Sequence, residues 1–203
     1  MVGVSKEGPH VFAIAALSQD GFIGQDTGHV STNWTSQADK DWFWERTKQA
    51  GAVVMGSTTF FATRKPGWPL PERMNYVLTG NPDSIWERYQ NNEEAALVQQ
   101  KENLLYLTAT PQEMIKKAAT DGLTELAVCG GTRVYTDFFP FIQTLYLTRE
   151  PVELDNGLPL IQGMSLLELE AILKEEFNLV EEVTMNKQGT VRQTWQRKVS
   201  AWK

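Results

Sequence analysis

The amino-acid sequence predicts an α/β fold, with a mainly parallel central sheet flanked by helices and an antiparallel C-terminal hairpin. Three observations carry this. The runs VFAIAALS (11–18) and GAVVMG (51–56) are apolar at nearly every position, the pattern of strands covered on both faces. From residue 11 to 150, strand-like runs alternate with helix-like segments, the usual layout of parallel strands and their crossovers. Residues 177–185 and 190–199 are two strand-like runs joined by Asn186-Lys187-Gln188-Gly189, a hairpin signal.

Taken in order, 11–18 is a central strand, and 20–33, rich in Gly, Ser, Thr and Asn, is a long loop. Thr35 or Ser36 caps a helix running to about Gln49. A second buried strand, 51–56, leads into a short helix from Ser57. The three prolines of 65–73 make an ordered, irregular loop before a third strand, 74–80. Residues 81–103 are polar, with a helix expected around 83–100; they read as an insertion or surface lobe on a single domain spanning 1–203. A strand at 104–110 precedes a helix that Pro111 opens and that ends near Thr120. Residues 123–131 form a strand ending on paired glycines, 132–139 a short helix, and 144–150 a strand. The reading assigns no element between 151 and 176.

Composition narrows the function. The chain has 203 residues and a net charge of −6, so nothing suggests a nucleic-acid footprint. Cys129 is the only cysteine, which fits a cytoplasmic setting. His10 and His29 are the only histidines, and no metal site is expected. No apolar run has the length of a signal peptide or of a membrane span, so no membrane partner is expected.

Four places could carry chemistry. VVMG-STTF and AVCGG-TRVY both run from a buried strand through glycine into a helix start. Glycine lets backbone approach a ligand closely, and a helix start offers free N–H groups to phosphate. Two such turns favour a dinucleotide, although the GxGxxG fingerprint is absent. Arg133 lies in the first turn of the second helix, where a cation is disfavoured unless an anion is bound there. Arg73 is either a solvated loop residue, the better reading on composition, or a fork for a carboxylate. Asp39 sits among Trp34, Trp42, Phe43 and Trp44. The spacing Ser36-x-x-Asp39 is that of a capping box, with Asp39 reaching back to an N–H at the helix start. Asp39 also shares a helix face with Phe43, four residues on, so it should be partly desolvated and its pKa raised into the range useful for acid–base catalysis. Spacing alone favours the cap.

In order along the chain, IAALSQDGFIG, the Trp34…Asp39 pair followed by Trp42-Phe43, VVMGSTTF, PLPERMNYVLT, CGGTRVYTDFFP and LYLTRE resemble the dihydrofolate reductase family. The resemblance implies reduction of 7,8-dihydrofolate to tetrahydrofolate with NADPH, hence an oxidoreductase of one-carbon metabolism acting on a small molecule. A monomer is expected, with a dimer as the alternative. It implies that Asp39 binds the pterin ring and assists protonation at N5, with Trp34 ordering a nearby water. Ile14 and Ala16, with the Ala15 backbone, would line the pocket. Phe43 would stack on the aminobenzoate, Arg73 would clamp the glutamate α-carboxylate, and Thr148 would support the acid. Ile23, Gly24, Gly56, Ser57, Thr58, Thr59, Thr79, Gly130, Gly131, Thr132, Arg133, Val134 and Tyr135 would border the cofactor, with the Gly130–Gly131 peptide cis. The family's arginine after the MG pair is Ser57 here, a loss for which Thr58, Arg64, Lys65 or Thr79 would compensate. Thr132 stands where the family has a third glycine. The alternatives are the riboflavin-pathway pyrimidine reductase, which shares the fold and the SxDG start but lacks the Trp34…Asp39 pair and the clamp, and a non-catalytic nucleotide- or pterin-binding module.

Overall fold

The computed structural model describes residues 8–29, 31–62, 67–89 and 91–199. Its strands are β1 (His10–Leu17), β2 (Phe22–Gly24), β3 (Ala52–Gly56), β4 (Met74–Leu78), β5 (Leu104–Leu107), β6 (Glu125–Val128), β7 (Thr144–Arg149), β8 (Leu158–Pro159), β9 (Phe177–Thr184) and β10 (Val191–Arg197). Its helices are α1 (Gln37–Ala50), α2 (Ser57–Ala62), α3 (Asn92–Gln99), α4 (Pro111–Thr120), α5 (Thr132–Phe138) and α6 (Leu166–Glu176).

Eight strands form one sheet in the order β5-β4-β3-β6-β1-β7-β10-β9. Every pairing from β5 to β7 is parallel, and β10 runs antiparallel to both β7 and β9. The predicted parallel sheet with an antiparallel C-terminal hairpin is therefore the one observed. β1 is central because its apolar residues face both ways. Val11, Ala13, Ala15 and Leu17 join one core with α4, α5 and α6, while Phe12 and Ile14 join another with α1 and α2. Fully burying a side chain such as Phe12 or Leu17 stabilises the fold by about 1.5–3 kcal/mol.

The helix ends follow sequence rules. Ser36 caps α1, accepting from the Asp39 N–H at 3.2 Å, and Gly51 at φ +74° closes it in the left-handed conformation. Thr110 with Glu113 makes a full capping box on α4, with Pro111 in the first turn. Three differences from the sequence reading stand out. The 20–33 loop contains β2, which pairs with β8, and a 3-10 turn at Ser31–Asn33. Residues 81–103 connect β4 to β5 through α3, and Tyr89, Ala95 and Val98 bury against Phe61, Trp68, Trp86 and Leu104. The unassigned stretch holds α6, whose Ser165 and Glu168 form a second capping box. Among the described residues, no helix is long and apolar enough to cross a membrane, and no group of His, Cys, Asp or Glu could hold a metal.

Candidate active site

The site residues gather at the carboxyl ends of β1, β3, β6 and β7, where ligands of open α/β sheets bind. Helix α1 crosses from β1 to β3 and is pinned at two points. In its second half Arg46 makes a two-pronged ion pair with Glu125 of β6, at 2.9 and 2.7 Å, with its guanidinium 3.9 Å above the Phe12 ring. At its start the Ser36 N–H donates to Glu150 Oε1 at 2.8 Å. This corrects the expected capping box: Ser36 does accept from Asp39, but the reciprocal bond comes from Glu150, so Asp39 does not reach back.

Asp39 is buried, with 7% of its surface exposed. Burial raises its pKa to about 6, and the Glu150 charge pushes the same way. The Thr148 hydroxyl and, less strongly, Thr35 and Lys40 pull it down. Thr35 Oγ1 has no hydrogen bond of normal geometry, and neither has the buried Trp34 Nε1. Buried polar atoms are nearly always partnered, so Trp34 Nε1 is a donor left open for something polar. Thr148 is buried on β7 and pairs in register with Ala16 of β1. Ile14 and Ala16 point to the α1 side of the sheet, and the Ile14 carbonyl accepts from Tyr135 Oη at 2.7 Å.

Arg73 is not the solvated loop residue that composition favours, being only 3% exposed. Its Nε donates to the Pro71 carbonyl at 2.9 Å. Its Nη1 donates to the Trp44 carbonyl at 3.0 Å and to Thr47 Oγ1. Its guanidinium lies 4.6 Å from the Trp44 ring centroid. Asn75 and Asn103 fix the loop beneath it, each donating to the Leu70 and Arg73 carbonyls. What remains is Nη2, buried with no acceptor, on a cation with no ion pair among the described residues. Leaving such a donor unmet costs several kcal/mol unless an anion completes it. Phe43 packs partly buried on the same core as Phe12 and Ile14.

The two glycine turns meet. The Gly56 N–H donates to the Gly130 carbonyl at 2.8 Å, and a Cβ on Gly131 would stand 3.1 Å from Thr59 Oγ1. Gly130 has φ +101°, and a Cβ there would come within 2.8 Å of the Tyr135 ring. The Gly130–Gly131 peptide is cis. Gly131 caps α5 without a side-chain bond, which leaves backbone N–H groups free. Ser57 and Thr58 open α2, while Thr132 Oγ1 is engaged with the Pro159 carbonyl at 2.7 Å. Val134 and Tyr135 are buried beneath the turn, whereas Arg133 is exposed and 3.7 Å from Asp137. Ile23 and Gly24 lie on β2, and Thr79 follows β4, with its carbonyl accepting from Thr108. Arg64 and Lys65 lie outside the described residues. Glu150 is the residue that sequence reasoning missed; its signal was a second carboxylate two residues after Thr148 in LYLTRE.

The family model described as dihydrofolate reductase matches residues 10–186. The dihydrofolate reductase of Bacillus subtilis (strain 168) is 28% identical over 136 residues, covering 67% of this chain and 66%, just under two thirds, of that protein. The structure of Enterococcus faecalis dihydrofolate reductase complexed with NADP(H) and RAB-propyl aligns with a TM-score of 0.65 at 26% identity, over 93% of this chain and 96% of that one. A putative riboflavin biosynthesis protein from Shewanella sp. PV-4 shares the fold, with a TM-score of 0.65 at 18% identity over 93% of this chain and 99% of that one. The chain belongs to the dihydrofolate reductase family.

Proposed function

We propose that the protein reduces 7,8-dihydrofolate to tetrahydrofolate with NADPH. The observation that carries this is the pair of ligand-directed groups at the two ends of one helix. Asp39 lies in the first turn of α1, and Arg73 is held by Trp44 and Thr47, five and eight residues further along. At a rise of 1.5 Å per residue this is roughly 8–12 Å along the axis. A protonatable acid at one end and a cation lacking an anion at the other suit a pterin joined to a distant carboxylate. The riboflavin-pathway substrate has no such carboxylate, and Arg73 would then have nothing to hold.

In this reading Asp39 binds the pterin ring nitrogen and amino group and assists protonation at N5. A pKa of about 6 keeps a useful fraction of Asp39 protonated near neutral pH. Trp34 Nε1 orders a water beside the acid, Thr148 fixes the carboxyl, and Ile14, Ala15, Ala16 and Phe43 exclude bulk solvent. A nicotinamide dinucleotide fits the residues of the glycine turns, because the backbone is bare at Gly56, Gly130 and Gly131 and the α5 N–H groups are uncapped. Ser57, Thr58, Thr59, Thr132 and Arg133 would hold its phosphates, and when bound it supplies the hydride that goes to C6. The test is loss of nicotinamide absorbance that depends on dihydrofolate. Turnover of the riboflavin-pathway pyrimidine and not of dihydrofolate would overturn the proposal.

A further inference from the structure

The capping geometry of α1 contains a second carboxylate that the reaction as proposed does not use. Glu150 directly follows β7 and is 3% exposed. Its Oε1 accepts the Ser36 N–H at 2.8 Å, and its Oε2 accepts the Thr190 hydroxyl at 2.7 Å. Thr190 is fully buried at the base of the β9–β10 turn, where its Oγ1 also accepts from Asn186 Nδ2 at 2.8 Å. Thr190 thus accepts from Asn186 and donates its own proton to Glu150. Both carboxylate oxygens are therefore engaged as acceptors.

We propose that Glu150 is a positioning residue for Asp39: it takes over the capping bond that Asp39 would otherwise make, ties the start of α1 to the C-terminal hairpin through Thr190, and sets a fixed negative charge against the acid. The inference rests on Asp39 being the proton donor. In an ordinary capping box the carboxylate at the third helical position is spent on the cap's N–H and held at the surface. Here that N–H is already bonded, so Asp39 is free to stay in the pocket. One carboxylate serves the helix, and the other keeps its proton for the substrate.

The groups facing Asp39 from each packed element define what competes with Glu150. Lys40 of α1 favours the charged acid, as do the Thr148 and Thr35 hydroxyls. Tyr135 of α5 also senses the Asp39 charge, with its own hydroxyl bonded to Ile14. Burial is the largest influence on Asp39, and Glu150 is the like charge beside it. Removing the Glu150 charge should ease ionisation of Asp39.

The experiment is a carboxyl ¹³C titration of the intact protein, with Asp39→Asn identifying the signal, repeated in Glu150→Gln and Thr190→Val. Glu150→Gln keeps the shape and an acceptor but removes the charge. Its Asp39 midpoint should move down, and dihydrofolate turnover at about pH 7.5 should fall roughly three- to tenfold while the acid plateau stays within about twofold. Thr190→Val keeps the charge, so its midpoint should stay near the unaltered protein's while the melting temperature drops. An unmoved midpoint in Glu150→Gln, or equal shifts in both variants, would overturn the proposal. The titration needs no substrate, so it judges Glu150 even if dihydrofolate proves not to be turned over.

Discussion

On the proposed function, the two halves of the candidate site would recognise their ligands by opposite means. On the Asp39–Arg73 side the work falls to buried side chains left short of partners: an acid with a raised pKa, a guanidinium with a free Nη2, and the unbonded Trp34 Nε1 and Thr35 Oγ1. On the glycine side it falls to the backbone, with bare turns at Gly56 and Gly130–Gly131 and an uncapped helix start. The first mode is selective, because each orphaned group penalises a ligand that fails to satisfy it. The second tolerates variation in side chains, which accounts for a family member carrying Ser57 where an arginine is expected. Selectivity for the substrate should therefore reside in few residues and fail sharply, and selectivity between cofactors should be spread out and shift gently.

The largest expected effect is at Asp39. Asp39→Asn should lower dihydrofolate turnover by about 10²–10⁴. The same change should stabilise the protein at neutral pH. A carboxyl whose pKa is about 6 folded and about 4 unfolded favours the fold while protonated in both states, below about pH 4. That contribution fades as pH rises through 6, so the ionised acid costs roughly 1–3 kcal/mol above it. Melting curves should show Asp39→Asn ahead of the unaltered protein at pH 7 and level with it near pH 4. An earlier melt with normal turnover would instead make Asp39 a structural residue of α1 and not the acid.

Arg73 comes next. Arg73→Lys keeps the charge and loses the planar fork, so KM for dihydrofolate should rise about tenfold or more with kcat little changed. A dihydropterin without the glutamate tail should be indifferent. Equal KM ratios for the two substrates would remove the clamp and with it the contrast between the halves. The smallest effect is expected at Ser57. Ser57→Arg should tighten NADPH several-fold more than NADH, because only the former offers a 2′-phosphate. Equal tightening would mean that position 57 does not face that phosphate.

The sheet was legible because its strands are apolar on both faces, and burial on both sides is written in composition alone. The glycine turns were legible for a related reason, since strand–glycine–helix leaves a mark at each step. Two kinds of feature escaped. α6 and β8 went unassigned, although Leu166, Leu169 and Leu173 recur at helical spacing and Ser165-x-x-Glu168 carried the cap signal that marks the start of α6. The Glu150–Ser36 bond joins residues 114 apart and is made by a backbone N–H, so no local spacing could announce it. Composition alone favours a solvated Arg73 for the same reason. Its burial depends on Trp44, Thr47, Asn75 and Asn103 converging on one loop, and a run with three prolines reads only as irregular.

The most direct test of this account is the pH dependence of a single turnover, with the unaltered protein presaturated in NADPH and mixed with dihydrofolate. If a buried Asp39 supplies the proton, the rate should be level on the acid side, bend near pH 6 and fall about tenfold per unit above it. A rate that stays flat from about pH 5 to 8, or bends at the ordinary carboxylate value near 4, would contradict it.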